Sequence, residues 1–273
     1  MPDSRLGGGS DAVKTGELRI AFERKGEGQP LVLLHGALSD SREWRRQLDD
    51  LSADLTVVAW DAPGCGRSSD PPETFRLSDY ADCLAEFIEA IGLKRPHLLG
   101  LSFGGGLALE FYRRHPSVPK TLILASAYAG WAGSLPPEVV EERLQKGLRQ
   151  SEWPPDQVVK EWIPTLFTKS VPAGVVDEAA AIMSEFHPAG MRTMLLAFAE
   201  ADLRDVLPTI GVPTLLLYGD ADQRSPLAVA ENLHAKIPTS KLVILPGVGH
   251  ASNLEAPEVF NAEVRNFLRS NRS

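Results

Sequence analysis

Short apolar runs alternate with longer stretches of helical periodicity along most of this chain. Leu18 to Glu23 alternates apolar and polar residues, Pro30 to Leu34 runs apolar up to His35-Gly36, and Leu55 to Trp60 does the same up to Asp61-Ala62-Pro63-Gly64. Runs this short, closed by glycine or proline, predict strands. Between them, Asp40 to Ser52 spaces Trp44, Leu48 and Leu51 for one face of a helix, and Ser78 to Ile91 does so with Tyr80, Leu84, Phe87, Ile88 and Ile91. Pro96 to Leu101 predicts a further strand, Phe103 to His115 a helix stopped by Pro116, and Lys120 to Ala127 a strand.

The rhythm returns towards the C-terminus, with strands at Pro213 to Tyr218 and Lys241 to Leu245 and helices at Leu227 to Ile237 and Pro257 to Leu268. Such alternation covers both faces of a sheet, so the expected fold class is α/β, a mostly parallel sheet with helices on both faces. Residues 17–130 and 208–273 carry it. From 131 to 207 the periodicity is helical, with Trp131, Trp153, Trp162, Phe167, Phe186 and Phe198 spread through it and no convincing strand, which predicts an inserted helical cap. No fixed-period repeat points to a solenoid. Residues 1–16 are polar, contain Gly7-Gly8-Gly9-Ser10 and lack periodicity, so they are expected to form a flexible N-terminal segment.

Composition narrows the function classes. At 43% hydrophobic and 23% charged over 273 residues, the chain can bury a core without staples. Cys65 and Cys83 lack CxxC or metal-ligand spacing and read as free thiols, Cys65 being a small residue between two loop glycines. A formal charge of -8, with basic residues scattered in pairs such as Arg45-Arg46 and Arg113-Arg114, offers no stripe for nucleic acid. No apolar run approaches the roughly 18 residues of a membrane span, and the start has no apolar signal core. The expected compartment is the cytoplasm and the expected partner a small molecule.

The sharpest chemical signal is Gly100-Leu101-Ser102-Phe103-Gly104, where a strand delivers a serine into the start of a helix. A tight strand-to-helix turn needs small residues on either side of the serine because the backbones approach closely, and it exposes the hydroxyl above the sheet. Gly104-Gly105-Gly106 would cost on the order of 1 kcal/mol per glycine relative to alanine, so a packing demand must offset it. Ser102 is therefore the candidate nucleophile, against the plainer reading of a helix N-cap. His250, in Gly247-Val248-Gly249-His250 after the last strand, is the candidate base, since a loop there reaches the C-terminal edge of the sheet. His97, His115, His187 and His234 read as surface or packing residues, and His35 as incidental to a backbone requirement at Gly36. Asp220 and Asp222, after the preceding strand, offer two acids to orient the histidine in the chain order Ser, Asp, His. Arg143, Arg149, Arg192 and Arg204 read as solvated, with no cationic cluster to clamp a carboxylate. Trp131 opens the insertion near the strand edge where Ser102 emerges and is the candidate pocket residue.

These motifs in this order resemble the α/β-hydrolase superfamily over nearly all of residues 17 to 270. His35-Gly36 resembles its oxyanion loop, Asp61-Ala62-Pro63-Gly64-Cys65-Gly66-Arg67-Ser68 its D-x-x-G-x-G-x-S loop, and Gly219-Asp220-Ala221-Asp222 its acid loop. The resemblance implies that Asp222 is the acid and that the amides of Ala37 and Phe103 are the oxyanion donors. It implies a serine hydrolase acting on a small carboxylic ester or lactone through an acyl-enzyme, with no metal or organic cofactor. Haloalkane dehalogenases and epoxide hydrolases have aspartate where this chain has Ser102. Carbon-carbon bond hydrolases usually have Asn before the serine and Trp after the histidine, where this chain has Leu101 and Ala251, and perhydrolases an aromatic residue where it has Ala37. Those two activities stand as alternatives, together with a small-molecule receptor that retains a vestigial hydrolase site.

Overall fold

The computed structural model describes residues 11–271. An eight-stranded sheet in the order β1-β2-β4-β3-β5-β6-β7-β8 organises it. The strands are β1 (Asp11–Thr15), β2 (Leu18–Lys25), β3 (Gln29–Leu34), β4 (Leu55–Trp60), β5 (His97–Leu101), β6 (Thr121–Ala125), β7 (Thr214–Gly219) and β8 (Ser240–Leu245). β1 and β2 pair antiparallel, β2 meets β4 antiparallel, and every neighbour from β4 through β3 to β8 is parallel. Strands covered on both faces call for near-continuous apolar runs, and β4, β5, β6 and β7 are buried throughout, with Thr56, His97, Thr121 and Thr214 as their buried polar residues.

The helices are α1 (Arg45–Leu51), α2 (Leu77–Ala90), α3 (Phe103–Arg114), α4 (Pro137–Gln150), α5 (Pro155–Trp162), α6 (Ala173–Met183), α7 (Pro188–Glu200), α8 (Leu227–Lys236), α9 (Ser252–Glu255) and α10 (Pro257–Ser270). Alternate strand residues face opposite ways, so the sheet has two cores. Val32, Val58, Leu98, Leu124 and Leu216 pack with α2, α3 and α8, whereas Leu31, Val57, Leu99, Ile123 and Leu215 pack with α1 and α10. Between β6 and β7 the chain is helical, and α4 packs on α7.

One expectation is corrected. Residues 1–16 read as flexible, yet Asp11–Thr15 is a strand paired with β2 in the register Asp11↔Phe22 to Thr15↔Leu18; Gly7-Gly8-Gly9-Ser10 lies outside the described residues. β1 has no apolar alternation of its own because it is an edge strand that buries only Thr15. Its pairing is set by a two-residue turn in which Gly16 takes φ 54°. Among the described residues no helix is long and apolar enough to cross a membrane.

Candidate active site

Ser102 sits at φ 53°, ψ -111°, between β5 and α3. A non-glycine residue with positive φ costs on the order of 1–3 kcal/mol and persists only where its surroundings enforce it. The enforcement comes from two glycines. A Cβ at Gly100 would lie 2.1 Å from the carbonyl oxygen of Gly104, and one at Gly104 would lie 2.1 Å from that of Leu34. The flanking glycines are thus the condition for a turn this tight, and the turn carries Ser102 to the C-terminal edge of the central strands.

His250 and Asp222 come from the loops that follow β8 and β7, at the same edge. His250 Nδ1 lies 2.8 Å from Asp222 Oδ2 and 3.0 Å from Oδ1. Asp222 Oδ1 also accepts the backbone N–H groups of Arg224 at 2.8 Å and Ser225 at 2.9 Å. Burial alone would raise the Asp222 carboxyl, but the His250 bond and these amides together hold it below the usual carboxylate range. Burial depresses the His250 imidazole, Arg224 and Arg143 depress it further, and Asp222 opposes them; the net direction is down. Asp220 is exposed and turned away, its Oδ1 accepting Gly247 N–H at 2.6 Å. Ser102 and His250 face one cavity with no hydrogen bond between them. Such contacts are often long before substrate binds.

The loop after β3 supplies the opposite wall. The N–H groups of Ala37 and Phe103 have no acceptor among the described residues, and both residues line the same cavity as Ser102. His35 braces this loop through its side chain. Nδ1 donates to Gly36 O at 2.7 Å and Nε2 accepts Ala62 N–H at 3.0 Å. Burial lowers its pKa, which keeps the neutral tautomer this pair of bonds requires. Asp61 holds the neighbouring loop by accepting Ser41 N–H at 2.8 Å and Arg67 N–H at 2.9 Å.

The space around Ser102 has two lobes. One, of ≈ 50 Å³, is walled by Leu38, Leu166, Phe167, Ile182, Met183 and Leu254, so the helical segment roofs it. The other lies between Ser102, Tyr128, Trp131 and Phe198, and leads into a polar cleft of ≈ 230 Å³. Trp131 is buried, its indole tilted on Phe198 at 5.8 Å between centroids. Cys65, between its two glycines, is buried, and burial pushes its thiol well above the ordinary value.

Three wall residues had no signal as site residues in the sequence. Glu43, on a 3-10 turn over Ser41–Trp44, is buried against the apolar lobe, and burial raises its carboxyl to about 7. Its Oε1 has no partner among the described residues. Arg143 lies on α4, where it read as a solvated residue, and Arg224 in the acid loop; the two meet where Arg143 Nη2 donates to Arg224 O at 3.3 Å. Both are half-buried.

A family model described as the alpha/beta hydrolase family matches residues 31–263. The fold superposes on a thermophilic esterase from Thermogutta terrifontis, determined with malate bound, with a TM-score of 0.89 and 30% identity over 97% of this chain and 100% of that one. In sequence, the chain is 29% identical to a proline iminopeptidase from Lactobacillus helveticus, over 92% of each. It is 26% identical to the (E)-2-((N-methylformamido)methylene)succinate hydrolase of Acinetobacter baylyi, over 91% of this chain and 94% of that protein. These relatives are named for different scissile bonds, so likeness at this level indicates a hydrolase without choosing its substrate. The chain belongs to the α/β-hydrolase family.

Proposed function

We propose that this protein is a serine hydrolase that cleaves small carboxylic esters or lactones through an acyl-enzyme. Ser102 attacks the carbonyl while His250 takes its proton, Asp222 keeps that imidazole in the tautomer whose free nitrogen faces the serine, and the amides of Ala37 and Phe103 receive the developing oxyanion. Protonated His250 then passes the proton to the leaving alcohol, and water repeats the sequence to release the acid. Residues 131–207 act as a cap over the acyl and alcohol groups. The observation that carries the reading is the 2.8 Å contact between His250 Nδ1 and Asp222 at the cavity into which the strained Ser102 turn opens.

An esterase stands among the structural relatives, and its bond is the one this reading takes. A panel of p-nitrophenyl esters and lactones tests it. The parent protein is expected to turn over many molecules per chain, and Ser102→Ala to lose at least about 10³-fold in kcat while melting at the parent temperature. A single slow event per chain would instead identify a receptor, and activity of Ser102→Ala within about tenfold of the parent would remove the serine from the mechanism.

A further inference from the structure

The polar lobe beside Ser102 holds two half-buried cations that form no ion pair with a carboxylate among the described residues. Every other described arginine is either exposed, as are Arg19, Arg24, Arg45, Arg95 and Arg149, or within ion-pair distance of an acid. Arg143 and Arg224 are half-buried and form no ion pair among the described residues. Taking a guanidinium out of water without a counter-charge is unfavourable, and placing two together adds repulsion. Burial first, and then Arg143, pull Arg224 down to about 10 against the opposing influence of Tyr128 and Asp222, which leaves it charged at neutral pH.

Both guanidiniums are held in place by neutral groups. Arg224 stacks its Cζ 4.2 Å over the Trp162 ring, and its Nη1 donates to Thr165 Oγ1 at 3.0 Å. Its Nε and Nη2 have no partner among the described residues. Arg143 donates from Nη1 to Tyr128 OH at 3.2 Å and from Nη2 to Arg224 O. The acids at hand are committed elsewhere, Asp222 to His250 and two amides and Glu161 to Lys146 at 3.6 Å. Arg143, Arg224 and Lys146 thus set three cations against the single carboxylate of Glu161 in the cleft, on a chain whose formal charge is -8. Across Ser102 the other lobe is walled mainly by aliphatic and aromatic side chains, with Glu43 on its far wall and Arg224 shared with the polar lobe.

We propose that Arg143 and Arg224 seat a carboxylate of the substrate, so that the preferred substrates are esters or lactones with a free carboxylate at one end and an apolar group at the other. This rests on the hydrolase reading above. A guanidinium presents a planar fork of donors matched to a carboxylate, and a site prefixed in this way loses little freedom when the anion arrives. The substrate anion supplies the missing counter-charge, and the apolar lobe takes the opposite end.

The test compares esters that differ only in the terminal group. Monoethyl adipate is set against ethyl hexanoate, which places the charge on the acyl side, and 4-(butanoyloxy)butanoate against butyl butanoate, which places it on the alcohol side. The readout is the ratio of kcat/KM for charged over neutral ester, in which any general loss of activity cancels. In at least one pair this ratio is expected to exceed one for the parent and to fall about tenfold or more in both Arg143→Gln and Arg224→Gln. A ratio unmoved by either substitution in both pairs overturns the proposal. Calorimetric titration of adipate and of inorganic phosphate separates this result from the ester reading. Ser102→Ala protein is expected to bind adipate, and Ser102→Ala/Arg224→Gln to lose that binding. If no ester is turned over, the ester reading fails while loss of adipate binding still supports the anion seat. Equal adipate binding by both proteins, or tighter binding of phosphate than of adipate, overturns it.

Discussion

Asp222 Oδ1 receives the backbone amides of Arg224 and Ser225 as well as contacting His250 Nδ1, so this carboxylate is oriented by its own loop before it orients the histidine. Asp220, two residues earlier, instead ties the loop to Gly247. Asp222→Asn is therefore expected to cost about 10⁴-fold in kcat, because the amide cannot hold the required tautomer and charge. Asp220→Asn keeps an oxygen for Gly247 and is expected to cost less than about tenfold. Steady-state kinetics of the two variants on one ester decide the matter, and the reverse order would assign the acid to Asp220.

The direction of the His250 shift sets the acid limb of activity. Its pKa lies below the ordinary 6.5, chiefly through burial. The free base, which the proposed mechanism needs to accept the Ser102 proton, is then already the main form at pH 6.5, and kcat/KM is expected to fall only as pH drops further. Removing a neighbouring cation with Arg224→Gln moves this limb to higher pH. The limb is best read in a Glu43→Gln background, which removes the other cavity group titrating near neutrality.

Glu43 itself links stability to pH. Burial raises its carboxyl from 4.5 to about 7, so the folded state holds a proton that the unfolded chain releases at lower pH. Stability from this group is complete below pH 4.5 and is lost as pH rises through about 7, by on the order of 3 kcal/mol. Glu43→Gln cannot ionise. Denaturant unfolding at pH 5 and pH 8 is expected to show the variant gaining on the parent at the higher pH, and parallel pH profiles would contradict the assignment.

Trp131 combines packing with a place on the cavity wall. Trp131→Ala is expected to lower stability by about 3–5 kcal/mol through the space left against Phe198. It is also expected to shift the kcat/KM ratio between short and long esters several-fold. A lower melting temperature with an unchanged chain-length preference would mark the residue as packing alone.

The parallel strands were legible because burial on both faces leaves near-continuous apolar runs at β3, β4, β5 and β7, and the serine turn because its glycines are forced by contacts under 3 Å. The edge strand β1 was not, since its order comes from pairing rather than from its own residues. Nor could the sequence show His35 as a side-chain brace, because its partner amide belongs to Ala62 in another loop. Arg143 and Arg224 were hidden for the same reason. Each is an ordinary polar residue in its own segment, and only the fold places them against one cleft.

The helical segment between β6 and β7 separates Ser102 from Asp222 and His250 along the chain. A scission at the exposed Lys169-Ser170 step would put Ser102 on one polypeptide and Asp222 with His250 on the other, and by the proposed mechanism neither half alone would turn over an ester. The backbone register that rejoins them is the parallel pairing of Leu122 to Ala125 with Thr214 to Leu217. Turnover recovered on mixing the two fragments would then report that this pairing had re-formed.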